Sequence, residues 1–192
     1  IDQRFNRLEL GRYIQGGEKV LDLFCYTGGF GIHAAVKGAE EVVLVDESEY
    51  AVETCRKNAL LNDVYDRCIP IRARVREFVE AQLRRGERYD VVIVDPPAFI
   101  TSRERYKEGY KAYLALYASA LKLLKEGGVI FASSCSYFIS PAEFKGLLVK
   151  ASLKAGVKVL FLGGVRGAGP DHPVDPANPA TDYLKAFFLL RT

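Results

Sequence analysis

Several residue types are absent or rare in this chain of 192 residues, which has no tryptophan, no methionine and only two histidines. Its apolar runs fall short of the roughly 18 residues that a membrane-spanning helix needs, and no signal peptide is visible at its start. Its four cysteines, Cys25, Cys55, Cys68 and Cys135, are scattered and show neither a metal-ligand spacing nor a disulfide framework. The sequence therefore indicates neither a membrane protein, nor a metal site, nor a disulfide-stabilised secreted domain.

The rest of the composition is ordinary for a soluble globular protein. Apolar residues make up 49% and charged residues 27% of the chain, and the length suffices for one domain with a full core. The formal net charge of +3 says little about partners. Because strands alternate with helices, we expect a cytoplasmic enzyme with reduced thiols. A chain that begins with Ile1 and lacks methionine is expected to be a fragment without its N-terminal domain.

Apolar runs alternate with helix-like segments along most of the chain. The predicted strands are residues 18–24, 41–46, 68–73, 89–94, 129–133, 157–162 and 183–191. The predicted helices are residues 30–37, 48–61, 75–85 and 141–155, with one more that ends at residue 124. Repeated strand–helix units predict a Rossmann-like α/β fold, a mostly parallel seven-stranded sheet with helices on both faces. No helix separates the last two strands, so we expect an antiparallel final strand beside its predecessor.

The first part of the chain differs from the rest. Residues 1–17 contain a polar cluster of Asp2, Gln3, Arg4 and Arg7, and such a cluster is typical of a solvated segment. We therefore expect residues 1–17 to be a lead-in segment and residues 18–192 to form one domain.

A strand, a glycine loop and the start of a helix follow one another in V-L-D-L-F-C-Y-T-G-G-F-G-I-H-A, residues 20–34. Glycine lets the backbone approach a ligand closely, and the helix points unpaired N–H groups at it. A dinucleotide would require G-x-G-x-x-G/A, a spacing that Gly29, Gly31 and Ala34 fit. However, the first of these glycines comes seven residues after Asp22, too late for a tight turn. The loose loop suits S-adenosylmethionine (SAM) better, because its backbone can bind the zwitterionic methionine part.

Chemically useful residues end several predicted strands. In open α/β sheets ligands bind at the carboxyl ends of the strands, and Asp22, Gly28, Asp46, Asp95 and Cys135 lie at or just beyond such ends. Asp46 can accept two hydrogen bonds from a ribose diol, and it can also favour the start of the next helix, which Ser48 can cap. The predicted cofactor contacts are Asp22, Phe24, Tyr26, Thr27, Gly28, Gly29, Phe30, Asp46, Ser48 and Asp95.

The fourth strand ends in a more specific motif, D-P-P-A-F, residues 95–99. Pro96 and Pro97 fix a rigid turn, since they can continue neither a strand nor a helix. Asp95 can hydrogen-bond an amino group or a ring nitrogen of a base, and Phe99 can stack on a flat substrate. The alternative is a structural turn with an exposed aromatic, which is less favoured because the motif lies at the carboxyl end of a strand.

The cysteines and histidines divide by their surroundings. Cys135 lies between serines just after the fifth predicted strand, where a thiolate could act as a nucleophile. The other three cysteines are expected to be small buried apolar residues. His33 is expected to be packed or at the surface of its helix. For His172, beside Asp171 in a loop, a site role and a loop-structure role stay equally open.

Two stretches are rich in basic residues. Arg67, Arg72, Arg74, Arg76, Arg84, Arg85 and Arg88 are expected to form solvated helix faces. Cations alternate with aromatic residues in the second stretch, at Arg103, Arg105, Tyr106, Lys107, Tyr110, Lys111 and Tyr113. Phosphates pair with cations and bases stack on aromatic rings, so this second stretch predicts contact with RNA.

These motifs together resemble a known family. The order D-L-F-C-Y-T-G-G-F, V-D, D-P-P-A-F, S-S-C-S and D-H-P, closing on Y-L-K, is similar to that of the RlmI-like ribosomal RNA cytosine-C5 methyltransferases. The opening D-Q-R-F-N-R resembles the segment just before their catalytic domain. The resemblance spans nearly the whole chain, and it implies a class I SAM-dependent methyltransferase fold. Family members usually carry an N-terminal PUA RNA-binding domain, in line with a missing domain here.

The resemblance also implies a covalent mechanism and a set of substrate contacts. Cys135 would attack C6 of a cytosine as a thiolate, while Asp95 would hold the base at N3 and N4. The activated C5 would take the methyl group from SAM, and an unassigned base would then remove the C5 proton. The implied partner is RNA of the large ribosomal subunit, and a homodimer is left open. The expected substrate contacts are Pro96, Pro97, Phe99, Arg103, Lys107, Tyr110 and His172.

Two positions depart from the family pattern. An acid is expected after the third strand to meet the adenine amino group, and this chain has Arg74 there, so that Asp63, Glu77 or backbone groups would have to substitute. Ala180 replaces the usual acid before Y-L-K. One alternative is methylation of an exocyclic amino group, since D-P-P followed by an aromatic resembles the motif that holds such amines in N-methyltransferases. The others are an inactive SAM- or RNA-binding module and a dehydrogenase.

Overall fold

Seven β-strands form a single sheet in the computed structural model, which describes residues 2–192. The strands are β1 (Lys19–Leu23), β2 (Glu41–Asp46), β3 (Cys68–Arg72), β4 (Tyr89–Val94), β5 (Leu124–Ser134), β6 (Val159–Phe161) and β7 (Lys185–Arg191). The helices are α1 (Arg4–Leu10), α2 (Gly29–Val36), α3 (Glu49–Leu61), α4 (Val75–Arg85), α5 (Tyr106–Leu123) and α6 (Pro141–Ala155), and short 3₁₀ turns cover Gly11–Tyr13 and Pro179–Thr181. The order across the sheet is β3-β2-β1-β4-β5-β7-β6. The predicted α/β fold is confirmed.

Alternation of side chains along the strands produces two apolar cores. Val92 and Val94 of β4 face one core, which α4, α5 and α6 cover, and Val91 and Ile93 face the other, which α1, α2 and α3 cover. Successive residues of a strand point to opposite faces of a sheet, so strands buried on both faces read as continuous apolar runs. The predicted cover of helices on both faces is therefore present.

The last strand lies between β5 and β6. β7 pairs antiparallel with both neighbours, and the other neighbouring pairs of strands are parallel. The predicted antiparallel final strand is confirmed. β5 begins earlier than the predicted residue 129, because Leu124 already pairs with Tyr89 before a register shift between Tyr89 and Val91. At the edge of the sheet, β6 is shorter than predicted.

Residues 2–17 form α1 and a 3₁₀ turn with one buried face, so the expectation of a solvated segment is wrong for them. Asn6, Leu10 and Ile14 recur at a spacing of four, and all three are buried on the face that packs against α2. Gly11 permits the close approach of the two helices, since a Cβ there would lie 3.0 Å from Nε2 of His33. Gln3 is also buried, for a reason that concerns the site.

Among residues 2–192, no helix is both long and apolar enough to cross a membrane. No group of three or more His, Cys, Asp or Glu side chains among them could hold a metal ion.

Candidate active site

A cavity of about 430 Å³ opens at the carboxyl ends of β1, β2 and β4. Its lining residues are Phe24, Tyr26, Asp46, Glu47, Val75, Asp95, Pro97 and Phe99. Six of the residues predicted from strand ends and the D-P-P-A-F motif for cofactor or base therefore meet around one space: Phe24, Tyr26, Asp46, Asp95, Pro97 and Phe99. Glu47 and Val75 also line it, although the sequence analysis assigned them no role. Glu47 directly follows the predicted strand 41–46, and Val75 is the first residue of the predicted helix 75–85. These positions after a strand and at a helix start are the signal that could have identified them.

The loop after β1 has an unusual backbone. Phe24 and Tyr26 adopt φ angles of 62° and 49°, in the left-handed region that non-glycine residues rarely occupy. Surrounding hydrogen bonds hold this conformation, since Cys25 N donates to Val45 O over 3.1 Å and Tyr26 N to Oδ2 of Asp46 over 2.9 Å. Strained backbone of this kind persists only where neighbours fix it, often at ligand sites. The loop therefore presents Phe24 and Tyr26 to the cavity in a fixed arrangement.

Beneath this loop lies Asp22, which is only 1% exposed. Its Oδ2 accepts a hydrogen bond from Gly31 N over 2.8 Å and so fixes the first turn of α2. Burial, only partly offset by that hydrogen bond, raises the pKa of Asp22 to about 8. Gly28 has a φ of 84°, and a Cβ there would lie 2.7 Å from Cδ1 of Ile32. Asp22 and Gly28 thus shape the loop from below.

Four further predicted cofactor contacts lie outside the cavity lining. Phe30 is buried, and its ring centroid lies 4.8 Å from that of Phe131 in the core. The carbonyl oxygen of Thr27 accepts a hydrogen bond from Nδ2 of Asn58, which ties the loop to α3. Ser48 caps α3 by accepting from Ala51 N over 3.3 Å, as its capping role predicts. Gly29 begins α2 and is exposed.

Asp46 joins the end of β2 to the glycine loop. Its Oδ2 accepts from Tyr26 N and its Oδ1 from Ser48 N, each over 2.9 Å. A carboxylate has about four acceptor positions, so each oxygen keeps capacity for a further donor. The exposed Glu47 beside it adds a second carboxylate to the same wall of the cavity. This pair presents acceptors to a ligand that carries hydroxyl groups.

Asp95 at the end of β4 is held by two donors. Its Oδ1 accepts from Nε2 of Gln3 over 2.8 Å and from Oγ of Ser133 over 2.5 Å. Burial raises the pKa of Asp95, and the hydrogen bonds from Ser133 and Gln3 partly offset this rise. Neither Gln3 nor Ser133 was predicted. Only the folded chain brings Gln3 to Asp95, across 92 positions of sequence.

Phe99 lies in an aromatic group beside the cavity. Its ring centroid is 4.6 Å from that of Tyr113 and 6.3 Å from that of Phe24. Tyr113 is fully buried, so its predicted contact with RNA is wrong. The cause is its place on the inner face of α5, where its hydroxyl lies 2.8 Å from Oγ of Ser136. Through this hydroxyl the D-P-P-A-F turn is linked to the loop after β5, since Tyr113 also hydrogen-bonds Phe99 N.

Cys135 follows β5 and is half-buried, with its Sγ 3.7 Å from Pro96 O. The other three cysteines are buried, as predicted. Burial raises the pKa of the Cys135 thiol, the negative charge of Asp95 raises it further, and the positive charge of Lys185 opposes both. Cys135 and Asp95 therefore lie at the ends of adjacent strands, with the D-P-P turn between them.

Lys185 begins β7 and is a buried cation, only 2% exposed. Its Nζ donates to Ser136 O over 2.6 Å and to Ile139 O over 2.8 Å, the backbone just after Cys135. Burial lowers the pKa of Lys185 to about 8. The closing motif Y-L-K contains this residue, but the motif alone gives it no role. In the structure it fixes the loop that carries Cys135.

A second groove, of about 500 Å³, runs between α5 and α6. Its lining residues are Tyr106, Lys107, Tyr110, Lys111, Glu143, Gly146 and Lys150. The rings of Tyr106 and Tyr110 stack with centroids 5.9 Å apart, and Nζ of Lys150 lies 5.5 Å from the centroid of Tyr110. Arg103 is exposed in the loop before α5 and lies outside this lining. Of the predicted cations and aromatic rings, Tyr106, Lys107, Tyr110 and Lys111 thus share one groove, to which α6 adds Lys150.

The loop after β6 is attached to α1. Nε2 of His172 lies 3.0 Å from the Tyr183 hydroxyl, which also donates to Oδ2 of Asp2 over 2.9 Å. Nε of Arg4 lies 3.2 Å from Oδ2 of Asp171. Of the two roles left open for His172, these contacts favour the loop-structure role.

At the position where the family pattern has an acid for the adenine amino group, the structure places the exposed Arg74, as the sequence indicated. Arg74 precedes α4, is exposed and pairs with Glu77 over 3.4 Å. Asp63 lies between the end of α3 and the start of β3, at the amino edge of the sheet, and so cannot substitute for an acid at the carboxyl edge. Val75 supplies the cavity wall at this point instead.

The chain is similar to known proteins over nearly its whole length. The model of a family described as conserved hypothetical protein 95 matches residues 3–160. A Methanocaldococcus jannaschii protein, provisionally named a ribosomal RNA large subunit methyltransferase, is 41% identical over 98% of this chain and 48% of its own length. Ribosomal RNA large subunit methyltransferase I of Salmonella arizonae is 35% identical over 97% of this chain and 46% of its own. The chain thus spans about half the length of these relatives.

Solved structures agree with the sequence relatives. A protein from Streptococcus mutans, provisionally described as a SAM-dependent methyltransferase, superimposes with a TM-score of 0.85 at 27% identity, over 100% of this chain and 49% of that one. A methyltransferase structure with SAH bound gives the same values. The resemblance to the RlmI-like methyltransferases and the class I methyltransferase fold are thereby confirmed.

Proposed function

We propose that this chain, which belongs to the conserved hypothetical protein 95 family, is the catalytic domain of a SAM-dependent enzyme that methylates RNA of the large ribosomal subunit. More specifically, we propose that the methylated atom is C5 of a cytosine and that Cys135 forms a transient covalent bond to the base. The names of the relatives and the SAH-bound structural neighbour support the general activity. The juxtaposition of Cys135 and Asp95 supports the specific one.

The cavity fits SAM in chemistry as well as in position. SAM supplies an electrophilic methyl group when it is bound, and it carries a ribose diol, a flat adenine and a positive charge on sulfur. Asp46 and Glu47 would accept hydrogen bonds from the ribose hydroxyls, and the rings of Phe24 and Phe99 with Val75 would contact the adenine. The carboxylates around the cavity suit a cationic ligand, which a nicotinamide dinucleotide with its phosphates would not match.

A single observation carries the choice of C5: Sγ of Cys135 lies 3.7 Å from Pro96 O, at the turn that follows Asp95. A base held by Asp95 and covered by Phe99 would therefore lie within reach of the thiol. Methylation at C5 requires a nucleophile, because C5 of cytosine reacts with an electrophile only after C6 has been attacked. No thiol is needed for methylation of an amino group.

The residues act in a defined order. The thiolate of Cys135 donates an electron pair to C6, which breaks the C5–C6 double bond and makes C5 nucleophilic. Asp95 accepts a hydrogen bond from the N4 amino group and so holds the base while charge builds up in the ring. After C5 has taken the methyl group, loss of the C5 proton and cleavage of the S–C6 bond restore the double bond and the thiolate. Lys185 favours the thiolate, because its charge lowers the pKa that burial and Asp95 raise.

RNA would reach this site along the groove between α5 and α6. The groove offers Lys107, Lys111 and Lys150 to phosphates and the rings of Tyr106 and Tyr110 to bases. Glu143, which accepts hydrogen bonds from Ser140 and the Tyr106 hydroxyl, is the one carboxylate in this lining, against three lysines. We infer that Arg103 continues this surface toward the D-P-P-A-F turn.

The test is a trapping experiment with RNA that contains 5-fluorocytidine, whose C5 fluorine cannot leave as a proton would. In the presence of SAM we expect an adduct between protein and RNA that survives denaturation. The adduct should vanish in Cys135→Ala and persist in Cys68→Ala, a matched cysteine variant on β3. An adduct that persists in Cys135→Ala would overturn the role of this thiol.

The raised pKa of the Cys135 thiol favours one second candidate, methylation of an exocyclic amino group held by Asp95. In that reaction the thiol stays protonated and takes no part. Mass analysis of the nucleosides after reaction distinguishes 5-methylcytidine from an N-methylated product. An N-methylated product, with full activity in Cys135→Ala, would select the second candidate.

A further inference from the structure

A chain of hydrogen bonds runs from α1 into the site. Nδ2 of Asn6 donates to Oε1 of Gln3 over 2.6 Å, and Nε2 of Gln3 donates to Oδ1 of Asp95 over 2.8 Å. Gln3 is 5% and Asn6 2% exposed, so both amides are removed from water. A buried polar group that loses its partner destabilises the protein, and the two amides therefore hold each other and Asp95 in one arrangement.

The orientation of the Gln3 amide follows from this chain. Asn6 requires an acceptor from Gln3, so the oxygen of the amide faces Asn6 and its NH₂ group faces Asp95. The reverse orientation would bring two oxygens together at Asp95 and two donors together at Asn6. Asn6 is fixed in turn, because its Nδ2 also lies 3.3 Å from Gly167 O.

Both donors to Asp95 use the same oxygen. Gln3, just before α1, and Ser133, in β5, both donate to Oδ1. Among residues 2–192, no group donates a hydrogen bond to Oδ2 of Asp95. Because Asp95 lines the cavity, Oδ2 is the oxygen that remains for a ligand.

We propose that Gln3 is a positioning residue that occupies Oδ1 of Asp95, so that Oδ2 selects a base with an exocyclic amino group. This inference rests on the proposed function and deepens it. Cytosine offers an N–H donor at N4, which matches an acceptor. Uracil presents the oxygen O4 at the same place, which would leave Oδ2 unpaired and repelled. Cytosine is thus preferred over uracil through a residue that touches neither.

The proposal predicts a property of Asp95 that can be measured without substrate. Hydrogen bonds from Gln3 and Ser133 favour the ionised carboxylate against its burial. Replacement Gln3→Leu removes one donor and should raise the pKa of Asp95 by about one pH unit, the size expected for a hydrogen bond to a carboxylate. Gln3→Glu keeps an acceptor for Asn6 but places a second carboxyl against Asp95, and should raise the pKa further.

The experiment follows the Asp95 carboxyl carbon by NMR titration in the unmodified protein and in both variants, with the signal assigned from Asp95→Asn. The matched control is Gln15→Leu, an exposed glutamine of the same segment, which should leave the pKa unchanged. Single-turnover methylation of RNA containing cytosine or uracil at the target is measured in parallel, together with SAM binding. We expect about a tenfold slower transfer to cytosine in Gln3→Leu, a smaller preference over uracil, and unchanged SAM binding.

The outcomes separate this inference from the proposed function. If the pKa of Asp95 is unchanged in both Gln3 variants while the unmodified protein methylates cytosine, the positioning role is overturned. No cytosine methylation by the unmodified protein, with the Asp95 pKa still responding to Gln3, would support the positioning of Asp95 and overturn the substrate. If Gln3→Leu fails to fold, Gln3→Glu decides, because it retains the contact with Asn6.

Discussion

Replacement of Asp22 by asparagine tests the electrostatics beneath the glycine loop. The carboxyl is 1% exposed, and burial raises its pKa from 3.8 to about 8. In the unfolded chain the group ionises near its ordinary value. Between these two pH values only the unfolded state gains a charge at this position. The contribution of Asp22 to stability is therefore fully present below about pH 4 and is lost as the pH rises towards 8.

The magnitude follows from the size of the shift. A single group of this kind lowers the free energy of unfolding by at most about 1.4 kcal/mol per pH unit within the window. Asp22→Asn removes the ionisable group but keeps a side-chain oxygen that can accept the hydrogen bond from Gly31 N. Between pH 5 and pH 8 we therefore expect the variant to gain up to about 4 kcal/mol relative to the unmodified protein.

The assay is urea unfolding of both proteins at several pH values across this range, without cofactor. The matched control is Asp66→Asn, an exposed carboxylate before β3, which tests for general effects of removing a negative charge. A stability difference between Asp22→Asn and the unmodified protein that stays constant from pH 5 to pH 8 would refute the reasoning. It would mean that the buried carboxyl is ionised in the folded protein and that burial does not dominate its titration.

Two further predictions concern the RNA surface and the nucleophile. Lys107→Glu and Lys150→Glu should each weaken RNA binding and lower the salt dependence of binding by about one phosphate contact. Lys154→Glu, in the last turn of α6 and outside the groove lining, should do neither. Fluorescence anisotropy at several salt concentrations measures this, and equal binding by all three variants would contradict RNA binding in the groove. Lys185→Met should raise the pKa of the Cys135 thiol, because a positive charge that lowers it is removed. The pH dependence of alkylation by iodoacetamide measures this, and an unchanged profile would contradict a role for the lysine charge.

Much of the fold could be predicted because its signal is local. Strands β2 and β4 are largely apolar runs; β2 ends in Asp46, and Asp95 directly follows β4. Ser48 stands directly before an amphipathic helix. The antiparallel final strand followed from the absence of a helix before it. Neighbouring residues alone determine these features, so the sequence suffices for them. The extra length of β5 depends on pairing with Tyr89 across the sheet and could not be read from its own glycine-rich start.

The missed parts of the site depend on contacts between distant residues. Gln3 and Asn6 resemble solvated polar residues in every local respect, and only Asp95 and Gly167 give them buried partners. Tyr113 alternates with cations as an RNA-binding residue would, yet helical periodicity turns it inward on α5. In both cases composition indicated exposure, and tertiary packing decided otherwise. Lys185 is a third case, since its partners are carbonyl oxygens of a loop some fifty positions earlier.

Burial pushes three of the groups around this site towards their neutral forms. The pKa values of Asp22, Asp95 and the Cys135 thiol are all raised. The charge of Asp95 contributes to the raised pKa of both Asp22 and the Cys135 thiol. A positive charge brought into the cavity would lower all three pKa values at once. Under the proposed function that charge is the sulfonium of SAM, so binding of the cofactor would favour both the carboxylate that holds the base and the thiolate that attacks it. Under this proposal the thiol would be ready to attack only once the cofactor is in place, whichever of SAM and RNA binds first.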